Sequence, residues 1–129
     1  MIPDIECVIE ASCMINPSED PDKVAAAVSN VLAEPEMDTG DSMLVARSRT
    51  LASLEKIRQA IHSRQQQKTY GRSLRKNLAD KSTRLYFNKQ AAFAQRIAIC
   101  QEADESPLGP ITVTISSPEV EKVMGWLVS

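Results

Sequence analysis

Apolar side chains recur at every second position from Ile5 through Cys7, Ile9, Ala11 and Cys13 to Ile15, with Glu6, Glu10 and Ser12 between them. A period of two describes a strand with one buried face, which needs neighbouring strands and a second layer to cover it. The 129 residues suffice for one domain of that kind. Aromatic residues make up only 4% of the chain, so Val, Ile, Leu, Ala and Met must fill the interior. With 43% hydrophobic and 25% charged residues, a disordered or collagen-like chain is excluded.

The elements that follow can be read in order. Asn16, Pro17 and Ser18 end the strand, and Asp20 before Pro21 reads as an N-cap with proline at the first helical position. Val24, Ala27, Val28 and Val31 make residues 21–32 an amphipathic helix. The segment 34–42, with Glu34, Glu36, Asp38 and Asp41, reads as a solvated loop, and a short strand is expected at 42–47. Thr50 can cap a helix that turns Leu51, Leu54, Ile57 and Ile61 to one side and ends near Arg64. A further helix over 67–79 turns Tyr70, Leu74 and Leu78 inward.

Beyond residue 82 the period returns to two, in Leu85 and Phe87, then in Ile97 and Ile99 after a turn at 89–92. An acidic loop over 102–110 leads to a strand with Ile111, Val113 and Ile115, and Ser117-Pro118 starts a last helix. That helix buries Val120, Val123, Met124 and Leu127, with Trp126 at its edge. The order β-α-β-α-α-β-β-β-α describes a single α+β domain over 1–129, a largely antiparallel sheet with helices packed on it. Its closing portion, helix, three strands, helix, has the element order of a double-stranded-RNA-binding domain.

Several chemistries find no material. Cys7, Cys13 and Cys100 form no Cys-x-x-Cys pair and His62 is the only histidine, so the usual zinc spacings are absent and the cysteines read as buried thiols of a reducing compartment. The N-terminus lacks a basic segment followed by an apolar run, and no stretch nears the ~20 apolar residues of a membrane span, so a cytoplasmic location with no membrane partner is expected. No glycine-rich phosphate loop or nucleophile–base arrangement stands out. The paired acids Asp20/Asp22 and Glu119/Glu121 sit at helix starts, where they favour the dipole. Neither catalysis nor a small-molecule cofactor is expected.

The formal charge of -2 averages two opposed regions. Residues 47–96 hold thirteen cations and two acids, a net +11, while the remainder holds two cations and fifteen acids, a net -13. Phosphates respond to the local potential, not to the total. On the 67–79 helix, Lys68, Arg72, Arg75 and Lys76 fall opposite Tyr70, Leu74 and Leu78, and only Lys76 has an acid, Asp80, at helical spacing. Arg64, Arg84 and Arg96 extend the basic stretch. Asn88, Lys89 and Gln90, on the expected turn between two strands, could hydrogen-bond phosphate and 2′-hydroxyl oxygens of an RNA minor groove. Tyr86 shares a face with Arg84 and Asn88, where it could stack on a base or cover the sheet.

Two motifs carry a resemblance: Tyr86-Phe-Asn-Lys-Gln-Ala-Ala-Phe93 and Glu105-Ser-Pro-Leu-Gly-Pro-Ile111. The chain resembles an archaeal family of small RNA-binding-domain proteins, described as exosome subunits, whose fold is similar to the ribosomal protein that binds 5S rRNA. The similarity covers nearly the whole chain. It implies an α+β fold, RNA binding and an archaeal cytoplasm, is compatible with a homodimer and an RNA-processing complex, and carries over Asn88, Lys89 and Gln90 as RNA contacts. The last helix departs from double-stranded-RNA-binding domains: it begins Ser117-Pro-Glu-Val-Glu121 with only Lys122, not a lysine cluster. In the second motif, Pro107, Gly109 and Pro110 also suit a tight turn that sets the register of the last strand.

The expected function is therefore non-catalytic binding of structured RNA through a basic face formed by residues 64–76 and 84–96. The contacts expected are Arg64, Lys68, Arg72, Arg75, Lys76, Arg84, Asn88, Lys89, Gln90 and Arg96. The alternative is a protein-interaction or self-associating module that uses the complementary acidic and basic regions.

Overall fold

The structure, a computed structural model, describes residues 2–106 and 108–129. Pro107, assigned above to the turn before the last strand, lies outside the described residues, as does Met1. The chain folds as an α+β domain in which six strands form one antiparallel sheet in the order β2-β3-β1-β6-β4-β5.

The period-two segment forms β1 (Val8–Met14), and Asp20 caps α1 (Pro21–Val31) by accepting the Asp22 N–H at 3.0 Å. The expected loop at 34–42 instead contains a four-residue strand, β2 (Glu36–Thr39), paired with β3 (Met43–Ser48). β2 has no alternation to reveal it, since it buries only part of Met37 and lies at the sheet edge, held by backbone pairing. Charged residues on such an edge discourage pairing with other chains.

Thr50 caps as expected, but it starts a 3-10 turn, Leu51–Leu54, which runs into α2 (Glu55–Ser63). α3 (Gln67–Lys76) buries Tyr70, Ser73 and Leu74, and is followed by β4 (Ser82–Phe87). The expected turn at 89–92 is a short helix, α4 (Lys89–Phe93), capped by the Asn88 carboxamide, which accepts the Ala91 N–H at 2.9 Å. Because α4 and a turn through Gln95 (φ 61°) use up the following residues, the strand expected around Ile97 and Ile99 shrinks to β5 (Ile99–Cys100). β6 (Ile111–Ser116) and α5 (Val120–Leu127) complete the chain.

One face of the sheet is covered. Ile9, Ala11 and Cys13 of β1, Leu44 and Ala46 of β3, Leu85 and Phe87 of β4, and Ile111, Val113 and Ile115 of β6 are all buried in one core. The same core takes Val24, Ala27, Val28 and Val31 from α1, Ile57 and Ile61 from α2, and Val123 and Leu127 from α5. Burial holds the Cys13 thiol high, pushed up to about 11, so it is neutral at physiological pH. The opposite face, carrying Glu10, Ser12, Val45, Arg47, Arg84, Tyr86, Thr112 and Thr114, is open or half-open to solvent.

Candidate nucleic-acid interface

The cationic side of α3 is built from its buried side. Tyr70 meets Phe87 of β4 ring to ring at 6.2 Å and a tilt of 43°, and Leu74 is fully buried beside it. The Thr83 hydroxyl donates to the Leu74 carbonyl at 2.6 Å, and the Asn77 amide donates to the Arg84 carbonyl at 2.9 Å. These bonds seat the helix against β4 and leave Lys68, Arg72, Arg75 and Lys76 exposed on its outside.

Not all four cations are equally available. Arg75 lies 3.6 Å from Glu121, with both side chains mostly in water, a pair of little consequence. Lys76 is ion-paired with Glu102, whose hydrogen bond and charge raise the pKa of the lysine. Both sit in the last turn, where positive charge favours the helix dipole. Among the described residues neither Lys68 nor Arg72 has an acidic partner within ion-pair distance. Lys68 occupies the first turn, where a cation opposes the dipole. Helix stability does not explain its presence.

Arg64, at the C-terminal end of α2, is exposed, and one guanidinium nitrogen donates to the Ile97 carbonyl at 2.9 Å. That contact brings the exposed Arg96, one residue away, towards the start of α3. Arg64, Lys68, Arg72, Arg75, Lys76 and Arg96 thus belong to the helical side of the molecule. Arg84 does not: it alternates with the buried Thr83 and Leu85 and projects from the open sheet face with Tyr86. Residues 64–76 and 84–96 are therefore not one continuous face. Gln90 is exposed on α4.

Lys89 is in the interior and is no surface contact. Its side chain is fully buried, and its ammonium donates to the Glu19 carboxylate at 3.0 and 3.2 Å, to the Met14 carbonyl at 3.0 Å and to the Leu108 carbonyl at 2.8 Å. A lysine left without partners there would carry a heavy desolvation cost, so the pairing is obligatory. Burial pushes the Glu19 carboxyl up, but bonds from the Asn16 backbone and side chain, with Lys89 alongside, outweigh it and hold the pKa below the usual value. Asn88 is half-buried with its oxygen committed to capping α4. The motif around residues 86–93 thus includes a structural lock that joins the end of β1, the turn before α1 and the loop before β6.

Among the described residues no group of three or more His, Cys, Asp or Glu side chains is placed to hold a metal ion, and all three cysteines are free and buried. Among the described residues no helix is long and apolar enough to cross a membrane. The cleft beside the end of α3 has Asp80, Glu119 and Glu121 against Lys81 and Lys122, so it does not favour an anion. Sequence reading missed the acids that modulate the basic surface, Glu102 and Glu121, because both come from segments distant in sequence. Their excess of charge was visible; their placement was not.

A family model described as RNA binding matches residues 8–117. A UPF0201 protein of Metallosphaera sedula is 34% identical over 122 residues, 92% of this chain and 85% of that protein. One from Methanothermobacter thermautotrophicus is also 34% identical, over 119 residues, 92% of this chain and 89% of that protein. The crystal structure of a UPF0201 protein from Methanococcus jannaschii, 23% identical, matches with a TM-score of 0.77 over 96% of this chain and 92% of that one, which establishes a shared fold. The chain belongs to the UPF0201 family, and the RNA-binding family model spans it from β1 to the end of β6.

Proposed function

We propose that the protein binds structured RNA without catalysing its chemistry, through the outer face of α3, flanked by Arg64 and Arg96, within an RNA-processing or ribosome-related assembly. The observation that carries the reading is the pair Lys68 and Arg72. Both are exposed cations on a rigidly seated helix with no acid to pair them among the described residues, and Lys68 is set against the dipole. Lys68 and Arg72, four residues apart, repel each other by a few tenths of a kcal/mol. Phosphates lying along the helix would remove that cost. The interaction we propose is with the RNA backbone and its shape, as for RNA duplexes.

The test is RNA affinity against salt. About five phosphate contacts give a slope near -4 in log K against log salt, taking ~0.7–0.9 per contact. A flat response rejects the reading. The double substitution Arg72→Glu/Arg75→Glu is expected to weaken binding of all RNA sequences alike. Unchanged binding in that variant removes α3 as the site. Partners that survive nuclease treatment of the native complex would favour a protein adaptor instead.

A further inference from the structure

The described chain exposes five large apolar side chains: Ile2, Val8, Met14, Met43 and Leu108. Three of them, Val8, Met14 and Met43, lie on the open face of the sheet, at 42–49% exposure, with Met14 and Met43 directly opposite each other in register. Leu108 lies on the rim at the same end, where a Cβ on its neighbour Gly109 would stand 3.7 Å from the Met14 sulfur. Between these residues the floor is short and flat, formed by Ser12, Thr112, Thr114, Ser116 and Ser82.

The charges on this face are divided between its two sides. One row across the sheet reads Glu36, Arg47, Glu10, Thr114, Arg84, and the next reads Asp38, Val45, Ser12, Thr112, Tyr86. Arg47 is bonded to Glu10 at 2.9 Å, so the β2-β3-β1 side keeps the charge of Glu36 and Asp38. On the β4 side Arg84 has no acidic partner among the described residues. Three carboxylates stand against two guanidinium groups on this face, so it carries no excess of positive charge like that of α3.

We propose that this open face is a self-complementary interface, covered by a second copy of the chain in a symmetric dimer. Turning a copy over about an axis parallel to the strands and centred over β1 sets its β4 over the β2 of the first, so that its Arg84 faces Glu36, with Asp38 in the next row, and the reverse. Five strands at about 4.8 Å spacing and about 20 Å length give roughly 500 Å² per copy, or about 1,000 Å² in total, the size at which specific association begins. Sheets stacked in this way meet about 10 Å apart, a distance that short hydroxyl residues and methionines fill. Each α3 then faces outward on its own side of the dimer. The inference does not depend on the RNA reading.

Sedimentation of the full chain between about 1 and 100 µM tests it, with twice the 14.2 kDa chain mass expected at the upper end. A mass of one chain throughout overturns the proposal. Ser12→Arg with Thr112→Arg places two cations in the middle of the floor; the expected result is a monomer with an unchanged circular dichroism spectrum and unchanged RNA affinity per chain. A folded variant that remains dimeric overturns it. The wild-type chain provides a second measurement that needs no variant: peroxide oxidation of Met14 and Met43, which the interface slows at high protein concentration. Equal rates at both ends of the range overturn it. Arg72→Glu/Arg75→Glu is expected to stay dimeric, so a failed RNA site and a failed dimer are told apart.

Discussion

α3 and the start of α4 are both short polar segments that present cations and amides beside aromatic residues, yet they end in opposite environments. On α3 the apolar residues Tyr70 and Leu74 occupy the inward stripe, so Lys68, Arg72, Arg75 and Lys76 are driven outward. α4 has only five residues and packs on α1, and its first residue, Lys89, is turned into the interior to meet Glu19. A cation's role therefore follows from which face its element has to bury. Lys89 holds the fold together, and the α3 cations are free to hold something else.

Breaking the buried pair should produce the largest effect. Lys89→Met leaves the Glu19 carboxylate without its ammonium partner, and a loss of about 3–5 kcal/mol is expected in denaturant unfolding. The molecules that remain folded should bind RNA with unaltered affinity; a fall in affinity without a fall in stability would reverse the contrast between the two segments. The same pair predicts a pH dependence. Since Glu19 titrates lower in the folded than in the unfolded chain, it contributes stability above the unfolded carboxyl pKa, and that contribution is lost as pH falls through the folded one. Glu19→Gln should flatten that acid limb of the stability profile.

Lys68→Glu sharpens the comparison from the other side. It places an anion in the first turn of α3, which should raise stability by about 0.3–1 kcal/mol, while RNA affinity falls roughly tenfold and the salt slope drops by about one. Opposite signs in melting and binding are the expected signature. Two losses together would mean that Lys68 is structural. The smallest effect expected is at Glu102. Glu102→Gln releases Lys76, and affinity should rise about two- to threefold with stability hardly changed. A fall in affinity would count against Lys76 as a contact.

Elements with an apolar period were readable in the sequence: β1, α1, β6 and α5 have their buried positions where the spacing puts them. β2 was not readable, because Glu36–Thr39 presents one half-buried methionine among polar residues and is held by the backbone of β3. α4 left a faint signal, an asparagine ahead of Lys-Gln-Ala-Ala, which describes a cap and a helix start as well as a turn. The cations of α3 were legible because the inward stripe was legible. Lys89 was not, since its acid lies 70 residues earlier and only the folded chain brings them together.

The place of β6 sets a condition on how the molecule is made. It is the last strand of the chain, yet it lies between β1 and β4 and joins β2-β3-β1 to β4-β5. Until Ile111–Ser116 has emerged from the ribosome, β1 and β4 each present an unpaired strand edge, and the pairing that closes them links Val8 with Ser116. Such long-range closure is slow and leaves edges open to other chains while synthesis continues. Emergence of β6, not of any single helix, is thus the step at which the nascent sheet becomes continuous.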